Sequence, residues 1–328
     1  MDTCVSVVIV CMNNLKNLYP CLDSIIKYTH VSYEILVTAF MFSHENMEKV
    51  KRDYPNVTFI ESNKLRGFSE NNNLALRQAK GKYCFIVNDD TFMKSPVIDS
   101  LVDSFKKLPD DVAIVSPNIK YPDGKDQICG RRKYNWRSWL KSLLRIKERS
   151  KSIFENQKGL FQSYNISGAA FLIKTAIFKK LGWFDETYYF CPEDIALSDT
   201  INKQGMKVYV DSENVIYHIA SGTASTVQSA TMPAHTMGAL IFYSHGNPFL
   251  RFFLALCVFG IRSTFLLIHG IKSLGGNTRS KILFRSNLNV CHSIFTKRLP
   301  KELFIKYYNK IKRCLLYTSD AADDGESV

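Results

Sequence analysis

The chain has 328 residues, 46% of them hydrophobic, nine cysteines and a formal net charge of +13. That length leaves room for one large α/β domain with an appended piece, and an odd cysteine count without a CxxC pair argues against a secreted disulfide scaffold or a zinc centre and for a reducing compartment. The positive balance points to anionic partners: nucleic acid, a membrane surface or phosphorylated substrates.

Met1 to Ser6 lead straight into Val7 to Val10 without a basic n-region or a small-residue cleavage site, so no signal peptide is expected. Val5 to Val10 reads as a buried strand entering the polar loop Cys11, Met12, Asn13, Asn14, and Leu18, Cys21, Leu22, Ile25 and Ile26 then recur at helical spacing. A strand at Tyr33 to Val37, a helix from about Glu45 to Asp53 and a strand at Val57 to Glu61 follow. Asn72 to Lys80 reads as a helix closed by Gly81 as a C-cap, and Tyr83 to Val87 as a strand ending at Asn88, Asp89 and Asp90. Such alternation is the signature of βαβ units with right-handed crossovers around a parallel sheet. Helix Val97 to Lys107 and strand Val112 to Pro117 continue it.

The pattern lapses between Lys125 and Lys158, where eleven Lys or Arg residues face three acids and are interleaved with Trp136, Trp139, Leu140, Leu143 and Leu144. A basic amphipathic helix for a membrane or an anionic acceptor accounts for this better than a nucleic-acid patch, because no nucleic-acid module surrounds it. Strand Gly168 to Ile173, helix Thr175 to Leu181, the turn Gly182 to Glu186, a helix after Glu193 and Asp194, and strands Val208 to Val210 and Val215 to Tyr217 complete the first part, with His218 following directly.

Three chemical elements thus fall at strand ends or loop edges. Ligands of open α/β sheets sit at the carboxyl ends of strands, and paired carboxylates beside an amide suit a divalent cation and the phosphates it carries. Asn and Asp also favour turns for purely local reasons. A second acidic pair, Glu193 with Asp194, suits a base that deprotonates an incoming hydroxyl while the cation neutralises a diphosphate leaving group. No GxGxxG follows the first strand, which argues against a dinucleotide-dependent oxidoreductase.

At these residues the chain resembles the family 2 glycosyltransferases with the GT-A fold, especially the rhamnosyltransferase-like bacterial members. The resemblance rests, in order, on Val5 to Asn14, Gly67 to Asn73, Asn88 to Thr91, Gly168 to Ala170, Gly182 to Glu186, Glu193 with Asp194, and Tyr217, His218 and Gly222. It implies an α/β GT-A nucleotide-sugar-binding fold, a mostly parallel central sheet flanked by helices, with a helical C-terminal extension. It further implies that Asn88 to Asp90 stands at the DxD motif, with Asn88 in place of the first acid, Asp89 near the ribose or sugar, and Asp90 coordinating Mg2+ or Mn2+, joined by His218. Asp194 would be the catalytic base, with Glu193 orienting the base or the acceptor. Asn13, Gly67, Asn72 and Asn73 would contact the donor, although helix capping would explain one of the asparagines equally well. The implied reaction is inverting transfer from a UDP- or dTDP-sugar to a glycan or lipid-linked saccharide in bacterial surface polysaccharide synthesis. It would take place in the cytoplasm at the inner membrane, without nucleic acid. Two departures stand out: Cys11 and Met12 replace the usual Thr and Tyr before Asn13, and no acid follows Val37 until Glu45. The second leaves base recognition to other contacts, or makes the chain a catalytically weak scaffold in a glycan assembly complex.

The expected organisation is a catalytic domain over residues 1–225 with a basic insertion at 125–158, and a helical, membrane-associated region over 226–313. Residues 314–328 are read as a non-native tail, because Cys314 to Asp323 resembles translated sequencing adapter. Phe249 to Ile271 is long enough to span a bilayer, but Arg251, Arg262 and His269 interrupt it. A helix or helical hairpin lying in the membrane interface is therefore expected.

Overall fold

The computed structural model describes residues 3–144, 157–220 and 227–323. In chain order the elements are β1 (Val5–Cys11), α1 (Leu15–Tyr28), β2 (Tyr33–Phe40), α2 (His44–Asp53), β3 (Thr58–Ser62), α3 (Phe68–Leu76), β4 (Tyr83–Asn88), β5 (Thr91–Met93), α4 (Val97–Lys107), β6 (Val112–Lys120), β7 (Gly130–Arg131), α5 (Trp136–Leu143), β8 (Leu160–Ser163), β9 (Asn165–Ile166), β10 (Ala170–Lys174), α6 (Thr175–Lys180), α7 (Glu193–Lys203) and β11 (Lys207–His218). Four longer helices follow: α8 (Gln228–Ser244), α9 (Pro248–Leu274), α10 (Thr278–Ser293) and α11 (Pro300–Asp323). They group into two compact units. One takes in 1–134, 148–186 and 193–221; the other takes in 135–147, 187–192 and 222–328.

The first unit is built on a mixed sheet in the order β3-β2-β1-β4-β10-β6-β11-β5, with β8 added against β11. Strands β3, β2, β1 and β4 run parallel, as do β6 and β11. Strand β10 runs antiparallel to both β4 and β6. Apolar runs without polar alternation form these strands because both sheet faces are covered. Val5, Val7 and Ile9 of β1 face a core shared with α1 and α4, whereas Val8 faces the opposite core with Leu76 of α3 and Leu197 and Ile201 of α7. Phe85 and Phe171 are completely buried, each such side chain contributing about 1.5–3 kcal/mol by leaving water.

Several elements differ from the sequence expectation. Helix α3 begins at Phe68 and ends at Leu76, four residues early at each end, because Glu70 Oε2 accepts from the Gly67 N–H at 3.1 Å and so caps the start. Asn72 and Asn73 are therefore interior helix residues, not caps. Gly81 is likewise no C-cap: a Cβ there would lie 2.4 Å from the Ser6 nitrogen and 2.7 Å from the Val5 carbon, so glycine permits close backbone approach to β1. The two expected closing strands are one, β11, carrying an irregularity between Asp211 and Val215.

In the second unit, Trp139 of α5 stacks on Tyr243 of α8 with ring centroids 5.2 Å apart, and Trp136 meets Phe253 of α9 edge-on at 6.0 Å. Within the basic segment only Trp136–Leu143 is helical among the described residues, and it packs through its tryptophans; Arg145, Lys147, Arg149 and Lys151 lie outside the described residues, as does Gly222. Helix α9 is a single helix rather than a hairpin, 27 residues or about 40 Å long. Phe249, Phe252, Phe253, Leu256, Leu267, Ile271 and Leu274 stand exposed along it. Its two arginines turn inward, with Arg262 Nη1 3.5 Å from Asn287 Oδ1 of α10 and Arg251 Nη2 3.4 Å from Met237 Sδ of α8.

Candidate active site

Parallel β3, β2, β1 and β4 end on the same sheet edge, which places Gly67, Asn13 and Asn88 along it. The turn after β4 is fixed by Thr91 Oγ1, which donates to the Asn88 carbonyl at 2.9 Å. Strand β5 then pairs antiparallel with the end of β11, setting His218 opposite Thr91, and the Ile219 N–H donates to the Asp90 carbonyl at 2.9 Å. This pairing brings residues 128 apart in sequence together: His218 Nε2 lies 3.1 Å from Asp90 Oδ1, with 14% and 9% of the two side chains exposed. Asn88 Nδ2 lies 3.4 Å from the same imidazole nitrogen.

Asp89 sits beside this pair, close to the end of β1, where the Cys11 thiol donates to the Asn14 carbonyl at 3.5 Å. Burial pushes the Asp89 carboxyl up to about 6, and the charge of Asp90 adds to the rise. Burial likewise raises the Cys11 thiol, making it a neutral donor rather than a nucleophile.

The reversed direction of β10 brings the second acid to the same edge. Its approach, Gly168–Ala169, bonds in two directions: the Asn88 N–H donates to the Ala169 carbonyl at 3.0 Å, and the Gly168 N–H donates to Asp194 Oδ2 at 3.0 Å. Two consecutive residues thus connect the Asn88–Asp90 turn with Asp194 in the first turn of α7. The Ile195 N–H donates to Asp194 Oδ1 at 2.8 Å. Burial raises the Asp194 carboxyl, against the two backbone donors and the positive charge of Arg131. The strap that carries Gly168 is itself held to α7, through Tyr164 Oη on Asp199 Oδ1 at 2.8 Å and Asn202 Nδ2 on the Tyr164 carbonyl at 2.9 Å. Glu193 is buried next to Asp194 at the start of α7.

The other residues singled out in the sequence do not join this group. Asn13, at φ 49°, accepts at Oδ1 from the Ser43 N–H at 3.1 Å and from Asn46 Nδ2 at 2.9 Å, which secures the start of α2. Asn72 donates to the Phe68 carbonyl within its own helix at 2.9 Å. Asn73 donates to the Phe184 carbonyl and Glu186 Oε1, each at 2.9 Å, and accepts from the Phe184 N–H at 3.1 Å. Its amide is spent on holding the 182–186 turn. Residues that the sequence did not single out also enter. Gln127 contacts His218 twice, and Arg131 faces Asp194. Both lie in the stretch read only as a basic insertion, where charge masked a neutral glutamine.

The Asp90–His218 pair fits a divalent cation. Adjacent ligands of an octahedral ion with bonds of about 2.1 Å lie about 3 Å apart, which is the separation of the two atoms. Among the described residues no three His, Cys, Asp or Glu side chains gather into a closed metal centre; a cation held at this pair would take its other ligands from phosphates and water, as Mg2+ does in phosphate chemistry.

Comparison with known proteins places this geometry in context. The family model for glycosyl transferase family 2 matches residues 6–182. The chain is 36% identical over 78 residues to an N-acetylglucosaminyl-diphospho-decaprenol L-rhamnosyltransferase of Mycobacterium tuberculosis, a match covering 24% of this chain and 25% of that protein. It is 25% identical over 154 residues to the O-antigen biosynthesis protein RfbC of Myxococcus xanthus, covering 46% of this chain and 12% of that one. Among solved structures, the mannosyltransferase PcManGT of Pyrobaculum calidifontis with GDP-Man and Mn2+ superposes with a TM-score of 0.53 at 14% identity, covering 91% of this chain and 89% of the other. GalNAc-T7 with UDP, GalNAc and Mn2+ superposes at 0.52 and 19% identity, covering 66% and 44%. These likenesses show a GT-A-like fold.

Proposed function

Since the chain belongs to glycosyl transferase family 2, we propose that it moves a sugar from a nucleotide-sugar donor to a hydroxyl of a glycan or lipid-linked saccharide, with inversion at the anomeric carbon. The observation that carries this reading is the Gly168–Ala169 bridge, which holds two separate acidic sites on one sheet edge. Inverting transfer needs such a separation, because the acceptor attacks the sugar face opposite the departing diphosphate.

Asp194 accepts the acceptor proton. Its raised affinity for a proton makes it a stronger base than an ordinary carboxylate, and the Gly168 and Ile195 N–H groups fix its orientation. Glu193 orients the acceptor or the base. Asp89 faces the donor ribose or sugar. A divalent cation, Mg2+ or Mn2+, held by Asp90 Oδ1 and His218 Nε2 would neutralise charge on the leaving diphosphate.

Membrane contact supplies the acceptor in this account. Helix α9 is long and apolar enough to cross a bilayer, yet its exposed stripe of Phe, Leu and Ile beside inward-turned arginines suits an interfacial helix at the cytoplasmic face. The distant mycobacterial relative carries a polyprenol-linked substrate in its name, which supports a lipid-linked acceptor here and a role in bacterial surface polysaccharide synthesis.

The base assignment is tested by Asp194→Asn, which keeps the side chain's shape and one of its two backbone hydrogen bonds but cannot take a proton. Transfer should fall about 10²–10⁴-fold with donor affinity unchanged. Parallel loss of donor binding and turnover would contradict the assignment.

A further inference from the structure

We propose that Gln127 is a positioning residue that locks the His218 imidazole in its Nδ1–H tautomer and so presents a bare Nε2 lone pair, beside Asp90 Oδ1, as one edge of the cation site. The inference rests on the cation reading above and adds to it the residue that makes His218 a ligand.

Gln127 holds both ends of its partner. Its Nε2 donates to the His218 main-chain carbonyl at 2.6 Å, and its Oε1 lies 2.9 Å from His218 Nδ1. A carbonyl can only accept, so the Gln127 atom facing it must be the amide nitrogen. The atom facing Nδ1 is then the amide oxygen, an acceptor, and Nδ1 must carry the hydrogen. In the neutral ring Nε2 is left bare. The Asn88 amide at 3.4 Å turns its nitrogen towards that same atom, as towards an acceptor.

A bare Nε2 set 3.1 Å from a carboxylate oxygen places two acceptors face to face. That arrangement is unfavourable on its own and favourable once a cation lies between them. Histidines that bind metals through one nitrogen commonly donate the other N–H to a carbonyl or carboxylate, which fixes the tautomer and raises ligand basicity.

The backbone delivers Gln127 to this position. Strands β6 and β11 are parallel neighbours and end at the same edge. After β6 the chain turns at Gly124, at φ 86°, and returns with the Gln127 N–H donating to the Ile119 carbonyl at 2.8 Å. The side chain therefore starts from a point pinned to the sheet beside His218.

The test uses the full chain labelled with 15N-histidine at pH 8, with His218 resonances assigned through His218→Gln and Mn2+ affinity measured by electron paramagnetic resonance. Wild type should show the Nδ1–H tautomer, and added Mn2+ should broaden His218 selectively. Gln127→Met, similar in length but without hydrogen bonds, should move His218 towards the Nε2–H tautomer and weaken Mn2+ about 10–100-fold. Gln127→Glu keeps an acceptor for Nδ1–H, so it should keep the tautomer and bind Mn2+ within a few-fold of wild type. An Nε2–H or doubly protonated His218 in wild type, or unchanged tautomer and affinity in Gln127→Met, overturns the proposal. Should Gln127→Met fail to fold, wild type and Gln127→Glu decide it. A distinct pattern marks failure of the cation reading itself: the tautomer follows Gln127, yet Mn2+ leaves His218 sharp, and the ligand role of the locked ring is then refuted.

Discussion

Replacing Asp89 by Asn should stabilise the metal-free protein while impairing its activity. Burial raises the Asp89 carboxyl from 3.8 to about 6, so the folded state binds this proton more tightly than the unfolded chain does. Above both values the folded protein must hold a buried charge that the unfolded chain carries in water. A shift of about two units corresponds to about 3 kcal/mol lost at pH 8, shrinking to about 0.5 kcal/mol at pH 4, where the folded state is protonated and the unfolded carboxyl nearly half so. Asparagine removes the charge while keeping the shape of the side chain. Denaturant unfolding in the presence of chelator should show Asp89→Asn more stable than wild type at pH 8, with the advantage nearly gone at pH 4. Equal stability at pH 8, or a gain of the same size at both pH values, would refute the reasoning. A destabilising carboxylate kept at this edge is what a functional site, rather than a turn, requires.

Gly81→Ala should destabilise the protein by at least about 2 kcal/mol, because its Cβ would meet main-chain atoms of Val5 and Ser6 that cannot rotate away; a thermal melt matching wild type would count against this packing. The transfer rate, as kcat/KM, should fall with unit slope on acidification around a midpoint above the ordinary carboxylate range, since Asp194 must be ionised to act and burial raises it. A limb at an ordinary carboxylate value would argue that another group is titrating. Phe252→Glu with Leu267→Glu, two exposed positions on α9, should release the protein from anionic liposomes in a flotation assay while leaving its melting temperature within a few degrees; undiminished flotation would remove α9 from the membrane contact.

The alternation of apolar runs and amphipathic stretches made the α/β frame readable, because strands buried on both faces carry uninterrupted β-branched and aromatic residues, as in Val5 to Val10. The placement of Asn88 to Asp90 at a strand end followed from the same rule. Less visible was the reversal of β10. Gly168 to Ile173 is equally apolar whichever way it runs, yet its antiparallel course is what carries Gly168 to Asp194. Boundaries slipped where a side chain acts at a distance, as when Glu70 caps the Gly67 end of α3 and leaves Asn72 and Asn73 inside the helix. Asn73 shows a second limit, since an asparagine that secures a turn more than a hundred residues away reads in sequence like one that awaits a ligand. Gln127 had only an indirect signal, the turn residues Pro122, Asp123 and Gly124 just before it. Its role depends on a hairpin that returns it to the end of β11, and nothing local in Asp126, Gln127, Ile128 announces that return.

The central claim, a cation-assisted transfer site at Asp90 and His218, is tested most directly by release of nucleoside diphosphate from a panel of UDP-, dTDP- and GDP-sugars, with Mn2+ and with chelator, for wild type and Asp90→Asn. The account predicts that at least one donor is turned over by wild type with Mn2+, and that chelation or Asp90→Asn abolishes this. Release from no donor, as a binding scaffold would give, or release indifferent to both chelator and Asp90→Asn, would contradict it.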